Sequence, residues 1–280
     1  MEVIVDRCAG LDVHKKTVVA CVRSPGSGRS RRQSEVRTFG TFEHELVALR
    51  DWLVGLGVTQ VAMEATGVYW KPVWHVLDDG DRFDEVLLVN PAHIRNVPGR
   101  KTDVNDATWI GQLLECGLLR GSFVPPNEIR QLREITRYRR QLTESRIRES
   151  QRLQKLLEDA NVKLSSVVTD TLGVTGRLIL DALCDGERDP DALAKLAKGR
   201  LKVKIDVLRQ CVPGRFNAFH AAMTRELLAH IDYITVAEQR LDDEIDRLMA
   251  PFVEARDRFD TIPGIGNATR RSSSPRSAST

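Results

Sequence analysis

The chain has 280 residues, which suffices for one α/β domain of ordinary size and a helical extension. Its 42 Lys and Arg residues against 39 Asp and Glu residues give a formal net charge of +3, which is only weak support for a nucleic-acid partner. Because the sequence shows no signal peptide and no membrane-length apolar run, and because its five cysteines are scattered singly, we expect a cytoplasmic protein with reduced thiols and no membrane partner.

The first 125 residues show an alternating pattern of strands and helices. The predicted strands are residues 9–13, 17–22, 36–39, 58–65 and 85–90, and the predicted helices follow the third, fourth and fifth strands. Turn residues between the first three strands favour an antiparallel meander, and Thr41 is the expected N-cap of the first helix. The resulting βββαβαβα order predicts an α/β fold with a mixed sheet.

Four carboxylates lie where this order would bring them together. Asp12 and Glu64 end the first and fourth predicted strands, and Asp103 and Asp106, three residues apart, would share one face of the last helix. Without cations such a cluster would repel itself and raise its own pKa values. Mg²⁺ prefers hard oxygen ligands, and two such ions can stabilise both oxygens of a phosphodiester displacement. The pattern therefore predicts a Mg²⁺ site, with Mn²⁺ as the alternative ion, that acts on nucleic-acid backbones.

Each acid taken singly also has a structural explanation. Asp12 is a plausible turn acid, and Glu64 a solvated strand end. Asp103 and Asp106 would favour a helix dipole as first-turn acids, with Thr102 or Asp103 as the cap. Only their joint occurrence on one β/α plan favours the functional interpretation.

Five motifs occur in order along the chain. They are Gly10-Leu11-Asp12-Val13-His14-Lys15, Met63-Glu64-Ala65-Thr66-Gly67-Val68-Tyr69-Trp70, Asn90-Pro91, Lys101-Thr102-Asp103-Val104-Asn105-Asp106-Ala107 and Ile262-Pro263-Gly264-Ile265-Gly266. Together they closely resemble the motifs of the DEDD (RuvC-like) transposases of the insertion-sequence 110 family.

The resemblance implies a particular domain organisation and activity. It implies an RNase H-like (RuvC-like) catalytic domain over residues 1–125, a helical coiled-coil region over 126–256, and the start of a C-terminal transposase domain over 257–280. It further implies that Asp12, Glu64, Asp103 and Asp106 bind magnesium for DNA strand cleavage and exchange. A structured RNA encoded by the element would guide the recognition of DNA.

The serine nucleophile proposed for that family has no counterpart in this sequence. After residue 269 the chain becomes a Ser, Arg and Pro tail, which lacks the apolar residues needed to order itself. We therefore assign no catalytic role to Ser272, Ser273 or Ser274. We expect a C-terminal truncation, through a frameshift, that leaves the metal-binding fold in place and recombination impaired or lost.

A predicted helix over residues 127–160 carries most of the clustered positive charge. Its cations are Arg130, Arg133, Arg137, Arg139, Arg140, Arg146, Arg148, Arg152 and Lys155. They could neutralise phosphates along DNA or RNA, although a solvated helix or a coiled-coil flank explains them equally well. A second long helix, over 216–250, shows an apolar stripe that would either fold back on the first helix or form a homo-oligomer.

Two other functions remain open on sequence grounds. One is a noncatalytic DNA- or RNA-binding remnant that keeps the scaffold. The other is an ATP-dependent kinase of the actin-like fold, since such folds also open on a strand that ends in Asp. Val13 and His14 stand where the phosphate loop of those kinases requires glycine, which makes the kinase the weaker alternative.

Overall fold

A computed structural model of the protein describes residues 2–26, 32–96, 105–212 and 214–260. The chain divides into two compact units, Met1–Pro125 and Pro126–Thr280. Asp103, the motif at residues 262–266 and the serine-rich tail lie outside the described residues. All five cysteines are free thiols. Within the described residues, no helix combines the length and the apolar character that crossing a membrane requires.

The first unit is built on one five-stranded mixed sheet. Its strands are β1 (Cys8–Val13), β2 (Thr17–Ser24), β3 (Gln33–Gly40), β4 (Gln60–Glu64) and β5 (Glu85–Val89). Its helices are α1 (Glu43–Gly55), α2 (Trp70–Leu77), α3 (Pro91–Asn96) and α4 (Asp106–Glu115). The spatial order of the strands is β3-β2-β1-β4-β5. Strand β2 is antiparallel to both of its neighbours, β1 and β3, whereas β4 is parallel to both of its neighbours, β1 and β5. The predicted antiparallel meander and mixed sheet are therefore confirmed.

Two predicted helix starts are wrong by one to several residues. Phe42, not Thr41, is the N-cap of α1, because the Thr41 hydroxyl donates instead to the Lys15 carbonyl, 3.1 Å away. Asn105 caps α4, since its side-chain oxygen accepts from the Ala107 N–H at 2.9 Å. The helix begins at Asp106, whereas the predicted helix also included Asp103, which lies outside the described residues.

Each face of the sheet has its own apolar core. Residues 9, 11 and 13 of β1 and residues 61 and 63 of β4 pack with α1 and α2. The alternate residues, such as Cys8 and Ala62, pack with Trp109, Ile110 and Leu113 of α4 on the opposite face. Alternation along the strands thus fixes which strand residues lie beside α4.

Helix α4 approaches β1 through glycine. A Cβ atom added at Gly10 would lie 2.3 Å from the Ala107 carbonyl oxygen and 2.3 Å from the Gly111 backbone nitrogen. A Cβ atom at Gly111 would lie 3.4 Å from the Gly10 nitrogen and 3.3 Å from the Arg23 side chain. Only a residue without a side chain at position 10 permits this contact, which brings the first turn of α4 down onto the strand.

The described residues of the second unit form helices and no strand. The helices are α5 (Asn127–Asp159), α6 (Val174–Cys184), α7 (Pro190–Lys195), α8 (Ile205–Cys211), α9 (Ala218–Met249) and α10 (Val253–Asp260), with 3₁₀ turns at Leu164–Ser166, Gly199–Lys204 and Ala250–Phe252. Helices α5 and α9 are antiparallel, since Arg139 bonds to Asp242 whereas Asp159 lies beside His220. The two long predicted helices are therefore confirmed, and they pair within one chain. Shorter helices pack in one apolar core around the end of this pair where α5 ends and α9 begins.

We expect Gly10→Ala to lower the free energy of unfolding by about 1–3 kcal/mol, because the new methyl group would collide with α4 backbone that cannot move aside freely. Gly111→Ala should cost less, since its contacts are looser. The matched control is Gly55→Ala in α1, where an added Cβ meets nothing within 4 Å and stability should be unchanged or slightly raised. Urea unfolding measures all three. Equal effects at Gly10 and Gly55 would contradict the close α4–β1 contact.

Candidate metal and phosphate site

Asp12 and Glu64 lie at the same edge and on the same face of the sheet. Leu11 of β1 pairs with Met63 of β4 in a parallel register, so the next residue on each strand reaches the carboxyl edge together. By strand alternation both acids face the side covered by α4, as Cys8 and Ala62 do. Their placement follows from strand register, which is why the sequence pattern could anticipate it.

Asp106 lies in the first turn of α4, close to both strand-end acids. Asp106 and Glu64 line one surface depression, together with Ile94, Arg95, Trp109 and Ile110. The charge of Asp106 also acts on Asp12, whose pKa it raises. Three of the four predicted acids are therefore neighbours around the N-terminal turn of α4, and Asp103 lies outside the described residues.

The environment of Asp12 disfavours its ionised form. Burial is the largest influence that raises the pKa of Asp12 above its ordinary value of 3.8, and the negative charge of Asp106 raises it further. His14 opposes both effects: its Nε2 lies 3.1 Å from Asp12 Oδ2, and it lowers the pKa of the carboxyl. A half-buried acid with an acid neighbour is the kind of group that a bound cation stabilises.

A buried ion cluster anchors the other end of α4. The Glu115 carboxylate, with a side chain only 5% exposed, accepts from Arg23 Nε and, at 2.9 Å, from Arg32 Nε. Arg32 also donates to the Val5 and Asp6 carbonyls, at 3.2 and 2.6 Å. Because α4 is a single rigid element, this anchor and the glycine contact together fix the position of Asp106.

The donor set suits a hard divalent cation. Asp12, Glu64 and Asp106 offer carboxylate oxygens, which Mg²⁺ and Mn²⁺ prefer. Among the described residues, no group of three or more His, Cys, Asp or Glu side chains is drawn close enough to hold an ion. The charge of Asp106 nevertheless acts on Asp12 and raises its pKa, and Glu64 lines the same depression as Asp106.

The arginines of α5 divide between two faces. Arg139 forms hydrogen bonds of 2.9 and 3.1 Å to Asp242, and Arg146 donates to Glu238 at 2.9 Å, so both point towards α9. Three further pairs lie within α5 itself: Arg140 with Glu144, Arg148 with Ser145, and Arg152 with Glu149. Arg130 is half-buried. Two of the nine predicted phosphate contacts are therefore committed to packing against α9.

Five of the seven remaining cations form an exposed stripe. Arg133, Arg137, Arg140, Arg148 and Lys155 are exposed and fall within roughly an 80° sector of the helix at 3.6 residues per turn. Arg139 and Arg146 lie on the opposite face. We call these five residues the basic stripe of α5.

Sequence reasoning missed three residues around the acids. His14, inside the first motif, pairs with Asp12, while Arg95 and Trp109 line the depression beside Glu64 and Asp106. The motif spacing gave no role to His14. Arg95 and Trp109 are recognised only when α3 and α4 are placed against the sheet.

The strand order, the two helical layers and the carboxylates at one edge define an RNase H-like α/β unit with a candidate metal site. A family model described as a transposase, of the DEDD insertion-sequence 110 type, matches residues 9–162. The chain therefore belongs to the DEDD insertion-sequence 110 transposase family, as the sequence motifs predicted.

Comparison with other proteins adds two findings. A solved structure of Thermus thermophilus RuvC is similar at 14% sequence identity and a TM-score of 0.31, covering 41% of this chain and 99% of that chain. No curated protein matches the sequence.

The neighbours of Asp12 should shift its pKa in opposite directions. We expect Asp106→Asn to lower the pKa of Asp12, because a repelling charge is removed, and His14→Gln to raise it, because an attracting partner is lost. Carboxyl ¹³C NMR titration in the presence of a chelator measures both. Shifts of the same sign, or none, would contradict the described geometry.

The raised pKa of Asp12 determines whether the protein becomes more or less stable as the pH falls. Because folding raises the pKa of Asp12 above 3.8, its ionised form destabilises the native state at neutral pH, and this cost disappears as pH falls towards 3.8. In chelator, Asp12→Asn should therefore stabilise the protein at pH 7 and have little effect at pH 3.8. Denaturant unfolding at the two pH values tests this, with the exposed Asp79→Asn as control.

Proposed function

We propose that the protein is a metal-dependent DNA transposase whose acids Asp12, Glu64, Asp103 and Asp106 hold Mg²⁺, or Mn²⁺, for cleavage and exchange of DNA strands. Family membership supports action on DNA. The observation that carries the proposal is the shared depression of Glu64 and Asp106, beside an Asp12 whose charge Asp106 opposes. A kinase activity receives no support from the family match.

Each residue of the proposed site would have its own role. Asp12 and Asp106 would share a cation at the carboxyl edge of β1, Glu64 would bind from β4, and Asp103 would complete the set. The cation would stabilise the charge that develops on phosphate oxygens during a displacement. His14 would hold the Asp12 carboxylate through its Nε2, and Glu115 would keep α4, and so Asp106, in place.

The basic stripe of α5 is the proposed contact for nucleic-acid phosphates. Its support is the exposure of five cations on one helical face, whereas Arg139 and Arg146 neutralise acids of α9. Binding of an RNA encoded by the element would use the same chemistry, because phosphate contacts carry no sequence information. Both DNA and this RNA are proposed partners.

The homo-oligomer expected through the helical region also remains a proposal. Its support is the end of the α5–α9 pair where α5 begins and α9 ends, because the apolar side chains there are only half-buried within one chain. The half-buried residues are Leu132, Ile135, Leu142, Leu241, Ile245 and Leu248.

Metal binding is the first test of the proposed function. Mg²⁺ or Mn²⁺ should raise the melting temperature of the wild-type protein, because an ion that binds only the folded state stabilises it by mass action. Asp12→Asn, Glu64→Gln, Asp103→Asn and Asp106→Asn should each remove most of that shift. Asp79→Asn, an exposed acid of the same unit, should keep it. A full shift in all four site variants would refute the metal site.

The basic stripe is tested through the salt dependence of binding. The triple variant Arg133→Gln, Arg137→Gln and Lys155→Gln should weaken duplex DNA binding and reduce the slope of log K against log salt by about 2.7, at about 0.9 per lost phosphate contact. Fluorescence anisotropy between low and moderate salt measures the slope, and a parallel series with RNA tests the second partner.

The control removes the same amount of charge from ion-paired arginines of the same unit. These are Arg177, Arg225 and Arg247, which pair with Asp232, Asp185 and Glu244. Their triple Gln variant should leave the salt slope nearly unchanged. Equal slopes in the two triple variants would show that the stripe makes no phosphate contacts.

A further inference from the structure

The depression beside the acids is lined by donors as well as by carboxylates. Among the lining residues, Glu64 and Asp106 carry carboxylate oxygens, whereas the polar groups of the Arg95 and Trp109 side chains are N–H donors. An N–H group cannot ligate a cation. A ligand that accepts hydrogen bonds beside the proposed metal would suit these donors.

Arg95 is held at the rim of this depression by its own short helix. Its neighbour Ile94 is buried in the apolar core under α4, and the Asn90 side chain caps α3 by accepting from the Ala92 N–H at 2.8 Å. His93 contacts the Leu118 carbonyl at 3.1 Å and fixes the same turn. The guanidinium is exposed and forms no ion pair within the described part of the chain, although two acids line the same depression.

Trp109 supplies an independent observation. Its side chain is buried, with 4% of the residue exposed, yet its indole N–H has no acceptor among the described residues. An unsatisfied buried donor destabilises the fold, so most buried donors in folded proteins have partners. Because this nitrogen has less than 1 Å² of exposed surface, a ligand oxygen in the depression would become its acceptor only after the side chains around it move apart.

We propose that Arg95 and the Trp109 indole form a subsite for a nonbridging oxygen of a DNA phosphodiester. The proposal rests on the proposed function, because the cation held by Asp12, Glu64 and Asp106 turns a negative depression into one that attracts phosphate. Arg is suited to this role, since its planar guanidinium binds phosphate with two parallel hydrogen bonds. The subsite sets the phosphate beside the metal and takes no part in holding the ion.

This assignment separates metal binding from phosphate binding. Arg95→Ala should weaken binding of a DNA duplex about tenfold or more in Ca²⁺, which favours the same oxygen ligands, because a charge-assisted hydrogen bond is lost. Trp109→Phe, which loses one neutral donor, should weaken it a few-fold. Arg95→Lys should recover part of the loss. The Mn²⁺-induced rise in melting temperature should stay at the wild-type value in all three variants.

The matched control is Arg82→Ala. Arg82 is an exposed arginine of the same unit, but it precedes β5 and so lies at the opposite edge of the parallel strands. Its removal changes the net charge equally and should leave DNA affinity in Ca²⁺ unchanged. Fluorescence anisotropy with a labelled duplex, in Ca²⁺ and in chelator, measures each affinity.

The outcomes are distinguishable. If wild-type protein shows the Mn²⁺ shift but Arg95→Ala and Arg82→Ala bind DNA alike, the subsite is wrong and the metal site stands. If Arg95→Ala loses as much affinity in chelator as in Ca²⁺, Arg95 binds DNA independently of the metal and the subsite is also wrong. If wild-type protein shows no Mn²⁺ shift, the proposed function itself fails and the subsite fails with it.

Discussion

The contact between α4 and β1 is the constraint on which the candidate site depends. Gly10 and Gly111 bring the helix so close that a single methyl group at position 10 would overlap its backbone. This approach sets Asp106 beside Asp12, although the two carboxylates repel each other. Apolar packing under α4 and the buried Glu115 cluster oppose that repulsion and hold the helix in place. The fold therefore maintains an electrostatic cost at the site that a divalent cation would offset.

In the helical unit, the two sides of α5 carry charges with different roles. Its acids and arginines are distributed so that one side of α5 binds α9 through ion pairs such as Arg139–Asp242, while the other side leaves cations exposed. Partly buried pairs of this kind fix the register of two helices more than they add stability. A long helix with one neutralised face and one basic face can thus pack within the chain and still attract nucleic acid.

Periodicity and turn chemistry predicted most elements because those signals are local. Apolar spacing predicts both long helices and the strand-end positions of Asp12 and Glu64, and turn residues predict the meander. The features that sequence did not predict depend on residues distant along the chain. Thr41 does not cap α1, because its hydroxyl donates to the Lys15 carbonyl, and Arg139 pairs with Asp242, about a hundred residues further along the chain. No local pattern reveals Arg95 beside Glu64, since α3 and β4 meet only in the folded sheet.

The central claim, that acids distant in sequence bind one cation site at this sheet edge, is tested most directly by anomalous diffraction from crystals soaked in Mn²⁺. We expect an anomalous peak within coordinating reach of the Asp12 and Asp106 carboxylates, on the side of Glu64. Electron density that shows these carboxylates turned apart, with Mn²⁺ bound elsewhere or absent at saturating concentration, would contradict it.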